Sequence, residues 1–453
     1  MPTKTRYPLL THASPDAVVA YRDGAPVSVR QFLADATQLA ALFPPGRHVL
    51  NLCGDRYRFA VGLAATLLSG RTGLQPASEL ASTLRQLRQF APDLFCLSDG
   101  ARPDGELPCL DYPEMAVAAS GPAEMPLIDA ESPVAWLFTS GSTGAPVAHL
   151  KTWGSLVPSV RAEAARLGFD DERPYAIVGT VPAQHSYGFE STVLLAWQSG
   201  AAFSAGKPFY PADICAALAL VPRPRMLVST PFHLRLMLEA SIDVPQLDLV
   251  LSATAPLSEA LVREAEARLH APLMEIYGST DTGQIASRRP AQGAEWLLFP
   301  GVHLSLEDDV ARASGGHVGA PVVLNDALEI TGDDSFLLLG RNADLINIVG
   351  KRSSLAHLNH QLCAIPGVRD GTFFMPDEEN IDRVTRLAAL VVAPGFDAAR
   401  LTGELRTRVD AVFLPRPIVF VDALPRNATG KLPRDTIKSL LFADAKTSPQ
   451  GKA

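Results

Sequence analysis

A segment of small hydroxylated residues, TSGSTG (residues 139–144), has the composition of an anion-binding loop. It follows the apolar residues 134–138 and precedes Pro146, a pattern that predicts a strand ending in a loop. Glycine lets the backbone approach a ligand closely, and serine and threonine add donors that suit phosphate. A flexible surface turn is the alternative. The segment lacks the lysine of a Walker loop, and Ser140 stands where a G-x-S-x-G nucleophile elbow needs glycine.

Composition narrows the classes of protein that could carry this loop. The 453 residues are 47% hydrophobic and 19% charged, which predicts a globular protein of more than one domain. A net charge of −8 disfavours a broad nucleic-acid surface. The five scattered cysteines indicate neither disulfides nor a zinc site. Without a signal peptide or a membrane-length apolar segment, we expect a cytoplasmic protein with no membrane span.

Apolar strands alternate with helices along most of the chain and would position such a loop. Strand patterns at 175–181, 226–229 and 247–252 are followed by helical patterns at 191–197, 234–238 and 259–270. This alternation predicts an α/β fold with largely parallel sheets covered by helices. The pattern changes near residue 340. We therefore expect a large N-terminal domain, 1–340, and a small C-terminal α+β domain, 341–453.

Seven segments, in order, resemble the motifs of the adenylate-forming superfamily, which includes acyl- and aryl-CoA synthetases, peptide-synthetase adenylation domains and luciferases. They are TSGSTGAP (139–146), VPAQHSYG (181–188), SATAPLS (252–258), YGSTDTG (277–283), ITGDD (330–334), GRNADLINIVGKR (340–352) and LPRNATGKLPR (424–434). Each match alone is weak, but seven in order are specific. The resemblance implies a C-terminal lid domain and ATP with Mg²⁺ as cofactors.

The resemblance also implies roles for individual residues. Lys431 would be the catalytic lysine, His185 would act beside the acid, and Asp281 would help to hold magnesium in the family's glutamate position. The other acid-binding residues would be Tyr187, Gly188 and Ser252. The nucleotide would be bound by Thr139, Ser140, Gly141, Ser142, Thr143, Gly144, Thr254, Ala255, Tyr277, Gly278, Ser279, Thr280, Asp333 and Arg341. Simpler interpretations stay open, among them a surface lysine, a turn-capping aspartate and core packing of Tyr277.

The chain departs from the family pattern at several positions. Val147 replaces the lysine that normally follows the loop proline, and the first lysine afterwards is Lys151. At the hinge Ala343 stands where Asp or Lys is usual, with Asp344 next. His357 and Asn359 occupy the places of a glutamate pair. These changes affect how the triphosphate is held and, above all, the second half-reaction.

The resemblance implies an ATP-dependent ligase that makes an acyl- or aryl-adenylate and passes the acyl group to a thiol. The His185-Ser186-Tyr187 segment favours a hydroxybenzoate-like acid, as in the short ligases of aryl-polyene and xanthomonadin pathways. The expected thiol belongs to an acyl carrier protein, with Lys351, Arg352 and Arg434 as candidate docking residues. Alternatives are a ligase that uses free coenzyme A, an inactive nucleotide-binding regulator, and a serine hydrolase using Ser140 or Ser142.

Overall fold

The structure of the protein, a computed structural model, covers most of the chain. It describes residues 4–76, 81–100, 102, 107–115, 124–140, 146–169, 173–240, 242–307, 310–341, 345–348, 351–375, 387–426, 432, 437 and 439–440.

The described strands number from the N-terminus. They are β1 (Arg6–Pro8), β2 (Val18–Arg22), β3 (Ala25–Ser28), β4 (His48–Asn51), β5 (Thr72–Gln75), β6 (Leu94–Ser98), β7 (Cys109–Asp111), β8 (Leu127–Asp129), β9 (Pro133–Ser140), β10 (Pro146–Thr152), β11 (Ala176–Gly179), β12 (Ala202–Ser204), β13 (Arg225–Ser229), β14 (Leu249–Ser252), β15 (Leu273–Ser279), β16 (Gly283–Arg288), β17 (Trp296–Leu298), β18 (Val302–Glu307), β19 (Val310–Gly315), β20 (Gly319–Val323), β21 (Asp326–Ile330), β22 (Ser335–Arg341), β23 (Leu345–Ile348), β24 (Lys351–Ser354), β25 (Asp370–Phe374), β26 (Ala388–Val392) and β27 (Ile418–Phe420).

The described helices lie between these strands. They are α1 (Val29–Leu42), α2 (Arg56–Leu68), α3 (Ala81–Phe90), α4 (Trp153–Arg166), α5 (Ser186–Gly188), α6 (Leu195–Ser199), α7 (Pro211–Ala219), α8 (Pro231–Glu239), α9 (Glu259–Leu269), α10 (Leu355–Cys363) and α11 (Ala398–Arg406). A π-helical segment, Phe189–Leu194, leads from α5 into α6. None of the described helices is long and apolar enough to cross a membrane.

Two large sheets form the N-terminal part of the molecule. The first has the order β10-β9-β5-β4-β6-β7 and is parallel except for the edge pair β9–β10. The second has eleven strands in the order β21-β22-β17-β16-β15-β14-β13-β11-β12-β2-β3. Its middle, from β2 to β15, is parallel, as expected from the strand–helix alternation.

Helices cover these sheets and bury their apolar faces. Helix α2 packs on β4 and β5, α7 on β11, and α9 on β15. The three predicted strand–helix pairs are confirmed as β11 with the π-helix and α6, β13 with α8, and β14 with α9. The structure adds antiparallel strands that the sequence patterns did not predict, namely β16–β17, β21–β22 and the β18–β19–β20 sheet. Strands β16, β17, β21 and β22 extend the parallel sheet beyond β15, whereas β18, β19 and β20 form a separate sheet.

The chain after β22 forms a smaller α+β unit. It contains the β23–β24 hairpin, the β25–β26–β27 sheet, α10 and α11. Its apolar side chains form their own clusters, one of which centres on Leu358, Val391 and Leu401. The two-domain α/β fold class expected from the sequence is therefore confirmed, and we propose residues 340 and 341 as the boundary.

Candidate functional site

The predicted anion-binding loop lies between β9 and the edge strand β10 of the six-stranded sheet. Thr139 and Ser140 are the last residues of β9, and their backbones pair with Val147 and Pro146 at the start of β10. Gly141, Ser142, Thr143 and Gly144 lie outside the described residues, as do the side chains of Thr139 and Ser140. The two strands hold the ends of the loop together in an antiparallel pair.

Two side chains of β10 contact the turn that joins β15 to β16 in the other sheet. Lys151 Nζ donates a hydrogen bond to the backbone carbonyl oxygen of Asp281 at 3.0 Å, and His149 Nδ1 contacts the Asp281 carboxylate. Residues two apart on a strand point to the same side, so both reach the same turn. The two large sheets therefore meet at Asp281, the predicted magnesium ligand.

The turn that carries Asp281 is shaped by glycine and by hydroxyl hydrogen bonds. A Cβ atom on Gly278 would lie 2.1 Å from the Gly283 carbonyl oxygen, so only glycine fits there. Ser279 and Thr282 bond across the turn, the Ser279 amide donating to Thr282 Oγ1 at 3.1 Å and the Thr282 amide to Ser279 Oγ at 3.2 Å. Thr280, half-buried, and Asp281, exposed, form the tip between them.

Behind this turn lies a pair of buried opposite charges. Lys151 is only 5% exposed and Glu190, in the π-helical segment, only 1%. Burial lowers the pKa of Lys151, which the charges of Glu190 and Asp281 oppose. Burial raises the pKa of Glu190, which Lys151 opposes, and Ser186 Oγ donates to Glu190 Oε1 at 2.6 Å. Lys151 therefore contacts the Asp281 turn directly and interacts electrostatically with the segment that carries His185 and Tyr187.

A second buried carboxyl lies nearby, on α4. Glu163 is fully buried, and burial raises its pKa to about 8, with Glu190 adding to the rise and Ser191 opposing it. Gln284 on β16 donates through Nε2 to Ser191 Oγ at 2.8 Å. At neutral pH the Glu163 carboxyl is mostly protonated, because its pKa exceeds 7.

The predicted acid-binding segment is a tight bend before the π-helix. His185 precedes α5 and is half-buried. A Cβ atom on Gly188 would lie 2.1 Å from the Pro182 carbonyl oxygen, so the bend requires glycine. Tyr187 Oη donates to the Leu251 carbonyl oxygen at 3.1 Å, and burial raises the pKa of this phenol well above 10. The structure thus anchors Tyr187 beside the end of β14.

Strand β14 ends at the next predicted group, Ser252, Thr254 and Ala255. Ser252 is fully buried, and its Oγ has no hydrogen-bond partner among the described residues. Thr254 is exposed and has φ = +79°, a conformation that costs energy for a β-branched residue. Such strain is frequent in ligand-binding loops. Tyr187 and Ser252 are brought together here, since Leu251 directly precedes Ser252.

Tyr277 lies in an aromatic group of the eleven-stranded sheet. Its ring centroid is 5.7 Å from that of Trp296 and 5.5 Å from that of Phe336, and its hydroxyl donates to Asp326 Oδ2 at 2.7 Å. The backbone of Arg341, whose side chain is outside the described part, pairs with Asp326 across β21 and β22. Asp326 therefore connects two predicted nucleotide-binding positions, Tyr277 and Arg341, and the ring has packing partners of its own.

Asp333 is exposed in the turn between β21 and β22. It lines a cavity of about 560 Å³ together with Asp334, Arg166 and His303 among others. All four named side chains can hydrogen-bond to hydroxyl groups, as donors or as acceptors. The cavity is open to a polar ligand, although Asp333 shares no described contact with the Asp281 turn.

The predicted catalytic lysine, Lys431, lies outside the described residues, and so do Ala343, Asp344 and Arg434. The chain leading to Lys431 is described as far as Arg426. Arg426 makes a two-pronged ion pair with Asp370 on β25, at 2.9 Å and 2.8 Å, and Arg235 of α8 lies 3.7 Å from the same carboxylate. Asp370 thus joins this segment to the N-terminal domain.

The remaining residues discussed in the sequence analysis lie at the start of the smaller domain. Lys351 and Arg352 belong to β24 and His357 to α10, all with side chains outside the described part. Asn359 Oδ1 accepts a hydrogen bond from the Phe373 amide at 2.5 Å. Asn359 therefore has a structural contact within the domain.

The sequence motifs do not include His149, Lys151, Glu163, Glu190 or Asp326. Lys151 stands out in the sequence only as the first lysine after the loop. The alternate positions of His149 and Lys151 on a strand beside the loop were a usable signal, because they predict a shared face. Glu163 and Glu190 carried no such signal, since isolated glutamates are normally solvated.

Comparison with known proteins identifies the family. The family model described as AMP-binding enzyme matches residues 11–338. A 4-coumarate–CoA ligase of Rhodobacter capsulatus is 31% identical over 297 residues, covering 65% of this chain and 73% of the relative. A fatty acid–[acyl-carrier-protein] ligase of Streptomyces coeruleorubidus is 27% identical over 367 residues, covering 70% and 69%.

Among solved structures, the O-succinylbenzoate coenzyme A synthetase of Bacillus subtilis, in complex with ATP and magnesium ion, has the same fold. Its TM-score is 0.79 at 19% identity, over 96% of this chain and 100% of that one. The family model spans most of the chain, and the named relatives are acid–thiol ligases. The chain therefore belongs to the AMP-binding enzyme family, whose adenylate-forming members use ATP with Mg²⁺, and it is an AMP-forming acid–thiol ligase.

Proposed function

We propose that the enzyme activates an aromatic carboxylic acid, of the hydroxybenzoate type, as its adenylate and transfers it to the phosphopantetheine thiol of an acyl carrier protein. The observation that best supports an aromatic acid is the anchoring of Tyr187. Its hydroxyl donates to the Leu251 carbonyl oxygen, so the half-buried ring is held in place beside Ser252. A rigid aromatic ring next to an acid favours a flat ligand over a flexible chain.

We assign roles in the first half-reaction to predicted site residues, according to the chemistry of that reaction. A carboxylate attacking the α-phosphorus of ATP brings two anions together, so the site needs cations and oriented donors. Lys431 would stabilise the charge that develops, and His185 would lie beside the acid. The backbone amides and hydroxyls of residues 139–144 would contact the phosphates. Asp333 and Arg341 would contact the ribose, and Tyr277, Thr254 and Ala255 the adenine.

Magnesium fits the Asp281 turn. A carboxylate oxygen is the ligand type that Mg²⁺ prefers, and one carboxylate is enough when phosphates and water supply the other ligands. Asp281 is partly exposed at the tip of its turn, next to the Thr280 hydroxyl. When bound, the ion would neutralise phosphate charge.

The smaller domain, 341–453, would act as a lid that moves between the two half-reactions. Its separate apolar clusters support such movement, because a unit with its own core can shift as a body. One of the named relatives is a ligase for coenzyme A, and another is a ligase for an acyl carrier protein. We choose the carrier protein because the sequence has no basic cluster suited to the phosphorylated adenosine of coenzyme A.

Acid specificity is tested by exchange of labelled pyrophosphate into ATP. The purified enzyme is incubated with hydroxybenzoates, cinnamates, medium-chain fatty acids and amino acids, each at several concentrations. We expect the highest exchange rate per unit of acid concentration with hydroxybenzoates. Preferential exchange with medium-chain fatty acids would contradict the aromatic assignment.

The acceptor is tested separately, with the best acid from that panel. Acyl transfer to free coenzyme A is compared with transfer to a purified acidic holo acyl carrier protein, at low and high salt. We expect transfer to the carrier and a fall in its rate with salt, because exposed charges are screened over about 10 Å at 0.1 M. Efficient coenzyme A thioester formation without carrier loading would instead identify an aryl-CoA ligase.

A further inference from the structure

Lys151 is a charged side chain that is almost completely buried, which is energetically unfavourable. It is 5% exposed, and its ammonium group has left water to donate to a backbone carbonyl, that of Asp281, at 3.0 Å. Burying a lysine is unfavourable unless hydrogen bonds and an opposite charge offset the loss of hydration. Glu190 supplies the opposite charge. The arrangement ties the backbone of the Asp281 turn to the strand that follows the phosphate loop.

His149, on the same face of β10, contacts the side chain of the same residue. Its Nδ1 contacts Oδ1 of the Asp281 carboxylate, so both the backbone and the side chain of Asp281 are fixed by one strand. Val147, the third residue of this face, is apolar and half exposed. Two polar side chains of β10 therefore contact one exposed aspartate at a turn tip.

We propose that Lys151 and His149 are positioning residues that hold Asp281 in the orientation required by the divalent cation accompanying ATP. The inference rests on the proposed role of Asp281 as the metal ligand. Carboxylates that bind metals are themselves hydrogen-bonded, and loss of such a partner typically weakens metal binding about 10- to 100-fold. Lys151 acts through the backbone of Asp281 and not by touching the nucleotide.

The test measures binding of Mn²⁺ with ATP, using electron paramagnetic resonance of Mn²⁺ as the probe, in the full-length protein. Lys151→Met keeps the length of the side chain and removes its charge, and Lys207→Met, at an exposed lysine, is the matched control. We expect Lys151→Met to weaken Mn²⁺ binding in the presence of ATP about tenfold or more. Affinity for AMP without metal should change less than threefold, and Lys207→Met should match the wild type.

Two results would overturn the inference. One is unchanged Mn²⁺ binding in a folded Lys151→Met protein. The other is an equal loss of affinity for AMP, which would indicate general damage to the site. Lys151→Arg, which keeps the charge, should restore Mn²⁺ binding at least in part.

Lys151→Met leaves Glu190 without its cation, so a second variant covers a failure to fold. Lys151→Met combined with Glu190→Gln removes both charges, and it should fold and still bind Mn²⁺ about tenfold more weakly; normal binding would overturn the inference. A further variant, Asp281→Asn, tests the metal-binding role of Asp281 separately from the positioning role of Lys151. Loss of Mn²⁺ binding in Asp281→Asn but not in Lys151→Met refutes the positioning role alone. Normal Mn²⁺ binding in Asp281→Asn refutes the metal role, and the inference with it.

Discussion

The buried carboxyl of Glu163 makes protein stability depend on pH in a direction that the structure specifies. Glu163 is fully buried on α4, and burial raises its pKa from 4.5 to about 8. Glu163→Gln keeps the shape and hydrogen-bonding capacity of the side chain but removes its ionisation. We predict that this substitution becomes progressively less destabilising, relative to the wild type, as the pH rises.

The magnitude follows from the two pKa values. Well below pH 4.5 the carboxyl is protonated in both the folded and the unfolded chain, and stability does not change with pH through this group. Between 4.5 and about 8 the folded protein keeps a proton that the unfolded chain has released, so the free energy of unfolding falls with rising pH. At about 1.4 kcal/mol per pH unit, the full decrease is of the order of 5 kcal/mol.

Urea unfolding at pH 5 and pH 8.5 measures this effect. The difference in free energy of unfolding between Glu163→Gln and the wild type should move by several kcal/mol in favour of the variant between the two conditions. Glu329→Gln, at an exposed glutamate of β21, is the matched control and should show no such movement. If the free energies of unfolding of Glu163→Gln and the wild type differ by the same amount at both pH values, the reasoning is refuted.

Three further substitutions test the proposed site. Lys431→Ala should reduce acid-dependent pyrophosphate exchange about 100-fold or more while ATP titration shows normal binding, because the lysine acts on charge that develops during reaction; normal exchange would remove it from the mechanism. Asp333→Ala should raise the KM for ATP about tenfold, the loss of one charge-assisted hydrogen bond; an unchanged KM would point to Asp334. Gly188→Ala should lower the unfolding temperature and the exchange rate, because its Cβ would lie 2.1 Å from the Pro182 carbonyl oxygen, whereas Gly403→Ala, in open space on α11, should not; equal behaviour of the two variants would contradict the packing argument.

Parallel strands of the core could be predicted because their sequence signal is local. Strands β11, β13 and β14 are short apolar runs buried on both faces, and each precedes a helical pattern. Strands β17 and β20 have no comparable signal. The alternation of apolar and polar residues on β20 is weak. Strand β17 pairs with β16 and with β22, which comes almost forty residues later, so pairing and not local preference decides the structure of these strands.

For the site, the motifs located the segments but not their contacts. The YGSTDTG segment was predicted to hold Asp281, yet nothing in it indicates that Lys151, 130 residues earlier, bonds to its carbonyl oxygen. That bond depends on two sheets meeting at one turn, which is a property of the tertiary fold. The same holds for Asp326, whose contact with Tyr277 exists only because β21 and β22 extend the eleven-stranded sheet.

Detection of the acyl-adenylate itself tests the proposed activity most directly. Enzyme, ATP, Mg²⁺ and a hydroxybenzoate are mixed without any thiol, and the products are quantified by mass spectrometry against the Lys431→Ala variant. We expect the aryl-adenylate, formed with one pyrophosphate per adenylate and consumed when a holo carrier protein is added. Absence of adenylate with every aromatic acid, in a protein that binds ATP, would contradict the proposed activity.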